Sequence, residues 1–236
     1  MSDQQASPSN GPDAATMVIG IFGGTGDQGR GLAARFAAAG NPVIIGSRSA
    51  ERAAAAAGSC AEAASAFGMI APVRGLTNAE AARAADVVIV AVPWDGHSTL
   101  LASLAAPLTG KIVIDCVNPM GFDERGAYSL PVAEGSAAQQ AAVLLPGSTV
   151  VGAFHHISSV LLLDPQVTSL DQDVLVLGDD RPATNLVQAL AARIPGVRGV
   201  YAGRLRNCGQ VEALTANLVS INRRYKAHAG LRITDI

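Results

Sequence analysis

The chain has 236 residues, enough to bury a substantial core as one domain or as a nucleotide domain with a smaller partner. Hydrophobic residues make up 49% and charged residues 15%, and the formal net charge is −2. That balance gives no reason to expect nucleic acid or an anionic membrane surface as partner. The three cysteines, Cys60, Cys116 and Cys208, form no metal-ligand or redox spacing, as expected of reduced residues in a cytoplasmic protein.

Residues 1–16 are polar and rich in Ser, Pro, Gly, Gln and Asp. They lack the basic start and apolar core of a secretory signal, so a disordered tail is expected. No apolar run approaches membrane-spanning length. Residues 18–22 are a short apolar run that predicts a buried strand, halted at Gly23. Gly24, Gly26 and Gly29 then give G-x-G-x-x-G, and Ala-rich helical sequence follows over residues 32–39. Strand, glycine turn and helix is the context in which this motif means dinucleotide binding. The expected roles are a tight turn at Gly24, close approach of a pyrophosphate at Gly26, and helix-to-strand packing at Gly29. The helix N-terminus adds free N–H groups and partial positive charge.

Residues 43–45 predict a second buried strand, which ends in Gly46-Ser47-Arg48-Ser49. An NAD site would place a carboxylate here for the ribose 2′-hydroxyl. The chain has Ser47 and Arg48 instead, with Arg52 four residues on. On a helix starting near Ser49 the two arginines converge, and a hydroxyl with two guanidiniums suits the 2′-phosphate of NADP.

Residues 50–67 are good helix formers, Val73 marks a third strand, and Thr77-Asn78-Ala79-Glu80 is a capping-box pattern. Residues 86–92 are the clearest strand, apolar throughout as in the centre of a parallel sheet. Ligands of open α/β sheets lie beyond the carboxyl ends of the strands, so Pro93 and Trp94 are placed to wall a cofactor pocket. A helix is expected over residues 100–108 and a strand over 111–117, ending in Asn118-Pro119. Residues 120–134 have no clear period and read as a long loop, of the kind that is often functional. A helix over 135–145 and a strand over 148–154 lead to His155-His156-Ile157. Neighbouring side chains diverge and no ligand partners stand at suitable spacing, so the two histidines read as structural or pocket-lining groups rather than a metal site.

The pattern then changes. A strand over 173–177, a helix opened by Arg181-Pro182, a short strand over 197–201 and a long helix over 207–229 are expected. Val211, Leu214, Leu218 and Ile221 follow helical spacing, and the far end carries Arg223, Arg224, Lys226 and Arg232. Those cations suit either a helix end complementing its dipole, the anionic tail of a second ligand, or a subunit contact. No nucleophile–base pair or carboxylate pair is visible, and hydride transfer needs neither.

Six motifs together are more specific: Gly23-Gly-Thr-Gly-Asp-Gln-Gly29, Gly46-Ser-Arg48, Val92-Pro-Trp94, Asp115-Cys-Val-Asn-Pro119, Ala153-Phe-His-His156, and the segment from Val211-Glu212 to Leu231. The chain resembles the NADPH-dependent reductases of coenzyme F420, the reduced-F420:NADP oxidoreductases, most closely in their actinobacterial form. The resemblance runs from Met17 to the C-terminus. It implies reversible hydride transfer between NADP(H) and the 5-deazaflavin coenzyme F420. By position, Thr25, Gly26, Asp27 and Gln28 would hold the pyrophosphate, while Ser47, Arg48 and Arg52 take the 2′-phosphate. Val92, Pro93, Trp94, Ser98 and Asn118 would line the nicotinamide side. His155, Ile157 and Ser159 would lie where the two rings meet, and Leu231 would touch the deazaflavin. No catalytic side chain is assigned, His155 being the candidate. The archaeal pattern of the family has Arg at the position of Gly209 and Ser at that of Ala213, whereas Glu212 and Thr215 match. A homodimer is implied by the resemblance alone.

The expected fold is α/β, a Rossmann-type, doubly wound, mainly parallel sheet over residues 17–155. A small C-terminal α+β domain over 156–236 would end in a long helix and complete the deazaflavin site. The alternatives are an NADP-dependent imine or keto-acid reductase and a non-catalytic NADP-sensing regulator. Little more than eighty residues follow the last Rossmann-like strand, short for the large helical second domain common in the former.

Overall fold

The computed structural model describes residues 13–68 and 71–236. Its elements follow the expected α/β alternation. In the first half, β1 (Ile19–Phe22), α1 (Asp27–Ala38), β2 (Val43–Ser47), α2 (Ala50–Ser65), β3 (Val73–Thr77), α3 (Asn78–Ala84), β4 (Val87–Val90) and α4 (Trp94–Leu104) succeed one another. Then come β5 (Ile112–Asp115), a hairpin of β6 (Met120–Asp123) and β7 (Gly126–Ser129), α5 (Ala137–Leu144), β8 (Thr149–Gly152) and α6 (Ser159–Leu163). The chain closes with β9 (Gln172–Leu177), α7 (Arg181–Ala191), β10 (Val197–Gly203) and α8 (Cys208–Tyr225).

Eight strands form one sheet in the order β10-β9-β8-β5-β4-β1-β2-β3. All neighbours pair in parallel except β8 and β9, which meet antiparallel at a single pair, Gly152 opposite Leu177. The sheet continues past residue 155, with a change of strand direction between β8 and β9. Successive side chains of a strand point to opposite faces. Ile19, Ile21, Val87 and Ile89 enter a core covered by α1, α2, α6 and α7. Phe22, Val88 and Val90 enter a second core covered by α3, α4, α5 and α8. Burial of β4 on both faces is why its sequence is apolar throughout rather than alternating.

Four expectations shift. The stretch expected as a loop over 120–134 begins with the β6–β7 hairpin. Asp123 closes its turn, its carboxylate accepting from the N–H groups of Arg125 at 2.8 Å and Gly126 at 3.1 Å. Strands of four residues are too short to show a period. The helix expected from residue 100 starts at Trp94, directly after Pro93. The last helix ends at Tyr225 because Lys226 adopts a left-handed conformation, φ 52°. Finally, residues 13–16 form a turn; Asn41 Nδ2 donates to the carbonyls of Ala14 at 2.8 Å and Met17 at 3.1 Å. The remainder of the expected tail lies outside the described residues.

The C-terminal residues strap β9 to β10. The buried Asp173 carboxylate accepts a two-pronged pair of hydrogen bonds from Arg198, both 2.7 Å, and a third from the Ile233 N–H at 2.6 Å. Arg232 pairs with Asp171 at 2.9 Å. The Arg198 hydrogen bonds hold the Asp173 carboxyl below the ordinary carboxylate value, against the opposing effect of burial. A depressed folded value adds stability above the unfolded pKa of about 3.9, and that stability is lost as pH falls below it. Asp173→Asn is expected to cost about 2 kcal/mol at pH 7. The deficit against the parent should shrink in melts run below pH 4; equal melting temperatures at pH 7 would discount the strap.

Candidate active site

The glycine loop divides its work differently from expectation. The tight turn falls on Gly23, φ +87°, where a Cβ would collide with the Ala91 carbonyl. A Cβ on Gly24 would instead lie 2.7 Å from Ile45 Cγ2, so that glycine makes room for β2. Gly29 has the packing role expected of it, since a Cβ there would lie 2.5 Å from the Gly23 carbonyl oxygen. Gly26 is open, with Gly23 O at 3.5 Å the nearest atom to such a Cβ. It is the N-cap of α1 and has no side chain to cap the helix. Exposed Thr25 and Asp27 flank it, and Asp27 pairs with Arg30 at 2.9 Å. Uncapped N–H groups at a helix start form an anion site.

Beyond β2, Ser49 caps α2 by accepting from the Arg52 N–H at 3.3 Å. Arg52 is thus in the first turn of α2 and Arg48 directly precedes its cap. Both arginines are exposed, Ser47 is half-buried, and among the described residues neither arginine pairs with a carboxylate.

A cleft of about 360 Å³ opens at the carboxyl ends of β4, β5 and β8. Val92, Pro93 and Trp94 supply one wall, Asn118 a second, and His155, Ile157 and Ser159 a third, with Gln28 at the mouth. Gln28 Nε2 donates to the Phe154 carbonyl at 3.3 Å, tying α1 to the end of β8. Ser98 is exposed on α4 and does not line the cleft. Leu231 does not line it either; its carbonyl accepts from the Asp173 N–H at 2.8 Å.

The opposite wall comes from α8, the helix expected to complete the deazaflavin site, although none of its cleft-facing residues was assigned a role from the sequence. Thr215, Leu218, Val219 and Asn222 of α8 line the cleft, with Ala229 beyond the helix end. Their spacing of three, one and three residues is a helical face. The apolar stripe that drew attention, Val211 to Ile221, obscured it, and Ile221 proves 40% exposed. Asn222 Oδ1 accepts from the Ala229 N–H at 2.6 Å, folding the chain back over the cleft. Gly209 packs on Gly135, and a Cβ there would lie 2.5 Å from the Gly135 carbonyl oxygen. A long side chain at that position would need the first turn of α8 to move.

Several polar atoms in the cleft are buried without a partner: Asn118 Oδ1, Thr215 Oγ1 and both ring nitrogens of His155. Asn118 Nδ2 donates to the His155 carbonyl at 3.0 Å, which fixes the amide. Unpaired buried polar groups are costly, and such a set fits flat ligands bearing amide and carbonyl groups. Burial, with the adjacent His156, pushes His155 down to about 3. It is a neutral imidazole with one donor and one acceptor. His156 turns away and bonds the Val211 carbonyl through Nε2 at 2.6 Å. Burial pushes the Cys60 thiol up to about 11 and raises Cys116 and Cys208 as well, so none presents a thiolate.

Known proteins resemble this arrangement. The family described as "NADP oxidoreductase coenzyme F420-dependent" matches residues 18–119. The F420-dependent NADP reductase of Methanothermobacter thermautotrophicus is 41% identical over 225 residues, covering 93% of this chain and 96% of that one. The chain belongs to the F420-dependent NADP reductase family. The Methanocaldococcus jannaschii member is 38% identical over 93% of this chain and 99% of its own. A solved structure of a candidate F420-dependent NADP-reductase from Arthrobacter sp. FB24 shares the fold, with a TM-score of 0.73. It is 23% identical, over 93% of this chain and all of the other. The family match spans the glycine loop, both arginines and the first two walls of the cleft.

Two outcomes are expected. Arg48→Ala with Arg52→Ala should raise the KM for NADPH about ten- to a hundredfold, the worth of one or two charge-assisted bonds, and narrow the preference over NADH. Unchanged NADPH kinetics would sink the phosphate assignment. Because His155 is already neutral, kcat should show no inflection traceable to it between pH 5 and 8, a point a His155→Asn comparison resolves.

Proposed function

We propose that the protein catalyses reversible hydride transfer between NADP(H) and the 5-deazaflavin coenzyme F420. The observation that carries this reading is the cleft itself. It joins walls beyond β4 and β5, next to the glycine loop, to a face of α8, with unpartnered polar atoms on both sides. When both are bound, the nicotinamide and the deazaflavin ring exchange the hydride directly.

The protein's share is binding, orientation and exclusion of water. The loop from Gly24 to Gly29, open at Gly26, receives the pyrophosphate, and Ser47, Arg48 and Arg52 receive the 2′-phosphate. Trp94 and Pro93 wall the nicotinamide side, and Asn118 Oδ1 accepts from a carboxamide. Neutral His155, with Ile157 and Ser159, sits at the junction of the rings and adds no competing acid. Ser98 and Leu231, which do not line the cleft, keep their proposed roles at its rim. The C-terminal residues 156–236 act as the deazaflavin module, contributing Thr215, Leu218 and Asn222.

The proposed partners are the two cofactors and a second copy of the chain, in the cytoplasm. The exposed residues Phe122 and Tyr128 of the hairpin, with Ile221 and Tyr225 of α8, support a homodimer contact.

Protein mixed with NADPH and oxidised deazaflavin should bleach the deazaflavin absorbance. NADPH binding without bleaching would favour the NADP-sensing alternative. Exposed Arg223, Arg224 and Lys226 end the helix that lines the cleft, and we assign them the anionic tail of the coenzyme. Changing all three to Gln should raise the deazaflavin KM several-fold with NADPH unaffected; an unchanged deazaflavin KM would reject that assignment.

A further inference from the structure

Behind the cleft lies an ion pair that the hydride chemistry does not use. His97 and Asp115 are fully buried, with His97 Nε2 2.6 Å from Asp115 Oδ2. The other carboxylate oxygen, Oδ1, accepts from the Val117 N–H at 3.0 Å, fixing the turn that delivers Asn118. On its other side the His97 ring lies against Trp94, three residues earlier on α4, with centroids 5.4 Å apart and planes 31° from parallel. The pair therefore touches both walls beyond β4 and β5.

A third contact extends to α5. His97 Nδ1 is 3.1 Å from Gln140 Oε1, while Gln140 Nε2 donates to Glu134 at 3.3 Å, which fixes the amide orientation. With an acceptor on each ring nitrogen, His97 donates from both and is an imidazolium. Burial alone would lower its pKa; Asp115 and Gln140 outweigh burial and raise it. The charged groups facing it are Asp115 from β5, Glu134 through Gln140, and Glu212 from α8. Glu212 is pushed up to about 7 by burial and accepts from the N–H groups of Ala137 and Ala138 at the start of α5.

A buried ion pair is poor evidence for stability, because desolvation consumes most of the attraction. What this pair supplies is geometry. We infer that His97 and Asp115 are positioning residues, which set Trp94 and Asn118 against each other across the nicotinamide side of the cleft. The inference rests on the hydride-transfer reading of that cleft. A cationic ring behind Trp94 holds the indole by its face, and the same cation orients the carboxylate that holds the 115–118 turn. Displacing either wall by about an ångström misaligns the reacting carbons while the phosphate anchors, which lie elsewhere, still hold the nucleotide.

Trp94 is the one tryptophan in the chain, so fluorescence excited at the red edge, where the three tyrosines do not absorb, reports on this wall alone. An imidazolium against indole quenches its emission more strongly than a neutral imidazole. Asp115→Asn keeps an acceptor for Val117 and removes the counter-ion. The double variant Asp115→Asn with His97→Gln replaces the ion pair by a neutral hydrogen-bonded one and guards against misfolding of the single variant. In the ligand-free protein both should raise Trp94 emission at pH 7. In turnover both should lower kcat about ten- to a hundredfold, with the KM for NADPH changed less than about threefold. Folded variants with parental emission and kcat would overturn the inference and leave a merely structural pair. So would a loss confined to the NADPH KM. If the parent itself transfers no hydride, the hydride-transfer reading fails, and the fluorescence of the ligand-free protein still judges the contact with Trp94.

Discussion

The backbone of α1 rests directly on the end of β1, at a separation only glycine permits. At Gly29 a Cβ would press on the Gly23 carbonyl, and on the far side of the same helix a Cβ at Gly31 would lie 2.6 Å from Leu162 Cβ. One helix thus docks twice, onto the sheet through Gly29 and onto α6 through Gly31. Arg35, further along α1 and nearly fully buried, completes the second contact by donating to the Leu162 carbonyl at 2.8 Å and the Leu161 carbonyl at 2.7 Å. The loop from His155 to Ser158 is strung between these anchors. The approach that lets a phosphate reach the helix start also decides where the third wall of the cleft stands.

Electrostatics sorts the site into a charged rim and a dry centre. Arg48 and Arg52 lie exposed, where a phosphate that met them would keep part of its hydration and each contact would cost little desolvation. Of the three buried histidines, two are in opposite states. His155 has no partner, and burial leaves it neutral. His97 has a carboxylate at 2.6 Å and is held charged. The neutral ring faces the cleft and the charged one stands behind its wall. Hydride chemistry is served by that order, since an acid beside the rings would open competing proton transfers.

Much of the site was legible because it lies close to strand ends. Pro93, Trp94, Asn118 and His155, which line the cleft, each follow an apolar run within a few residues, and an open α/β sheet binds its ligands there. The glycine turn was misassigned by one residue, to Gly24 instead of Gly23, because consecutive glycines do not reveal which one takes the positive φ. The last helix was expected at the deazaflavin site, but which of its residues face the cleft was hidden for another reason. Thr215 and Asn222 are ordinary polar residues on a long helix, and only the fold back at Ala229 gives them an enclosed space to face. His97, on α4, could not be singled out at all, because Asp115 is eighteen residues away at the end of β5.

The sequence by itself determined the order along the chain of the eight sheet strands, the parallel sheet, the glycine-rich loop and the likeness to F420-dependent NADP reductases. These depend on local pattern: apolar runs, glycine spacing, capping residues and short motifs. Tertiary structure decided that β9 turns antiparallel at one residue pair, that α8 supplies the fourth wall, and that one histidine is charged while another is neutral. Each of these depends on what a residue meets across the fold. Burial and partner distance, which no local pattern encodes, set the protonation of a side chain and the shape of the space it faces.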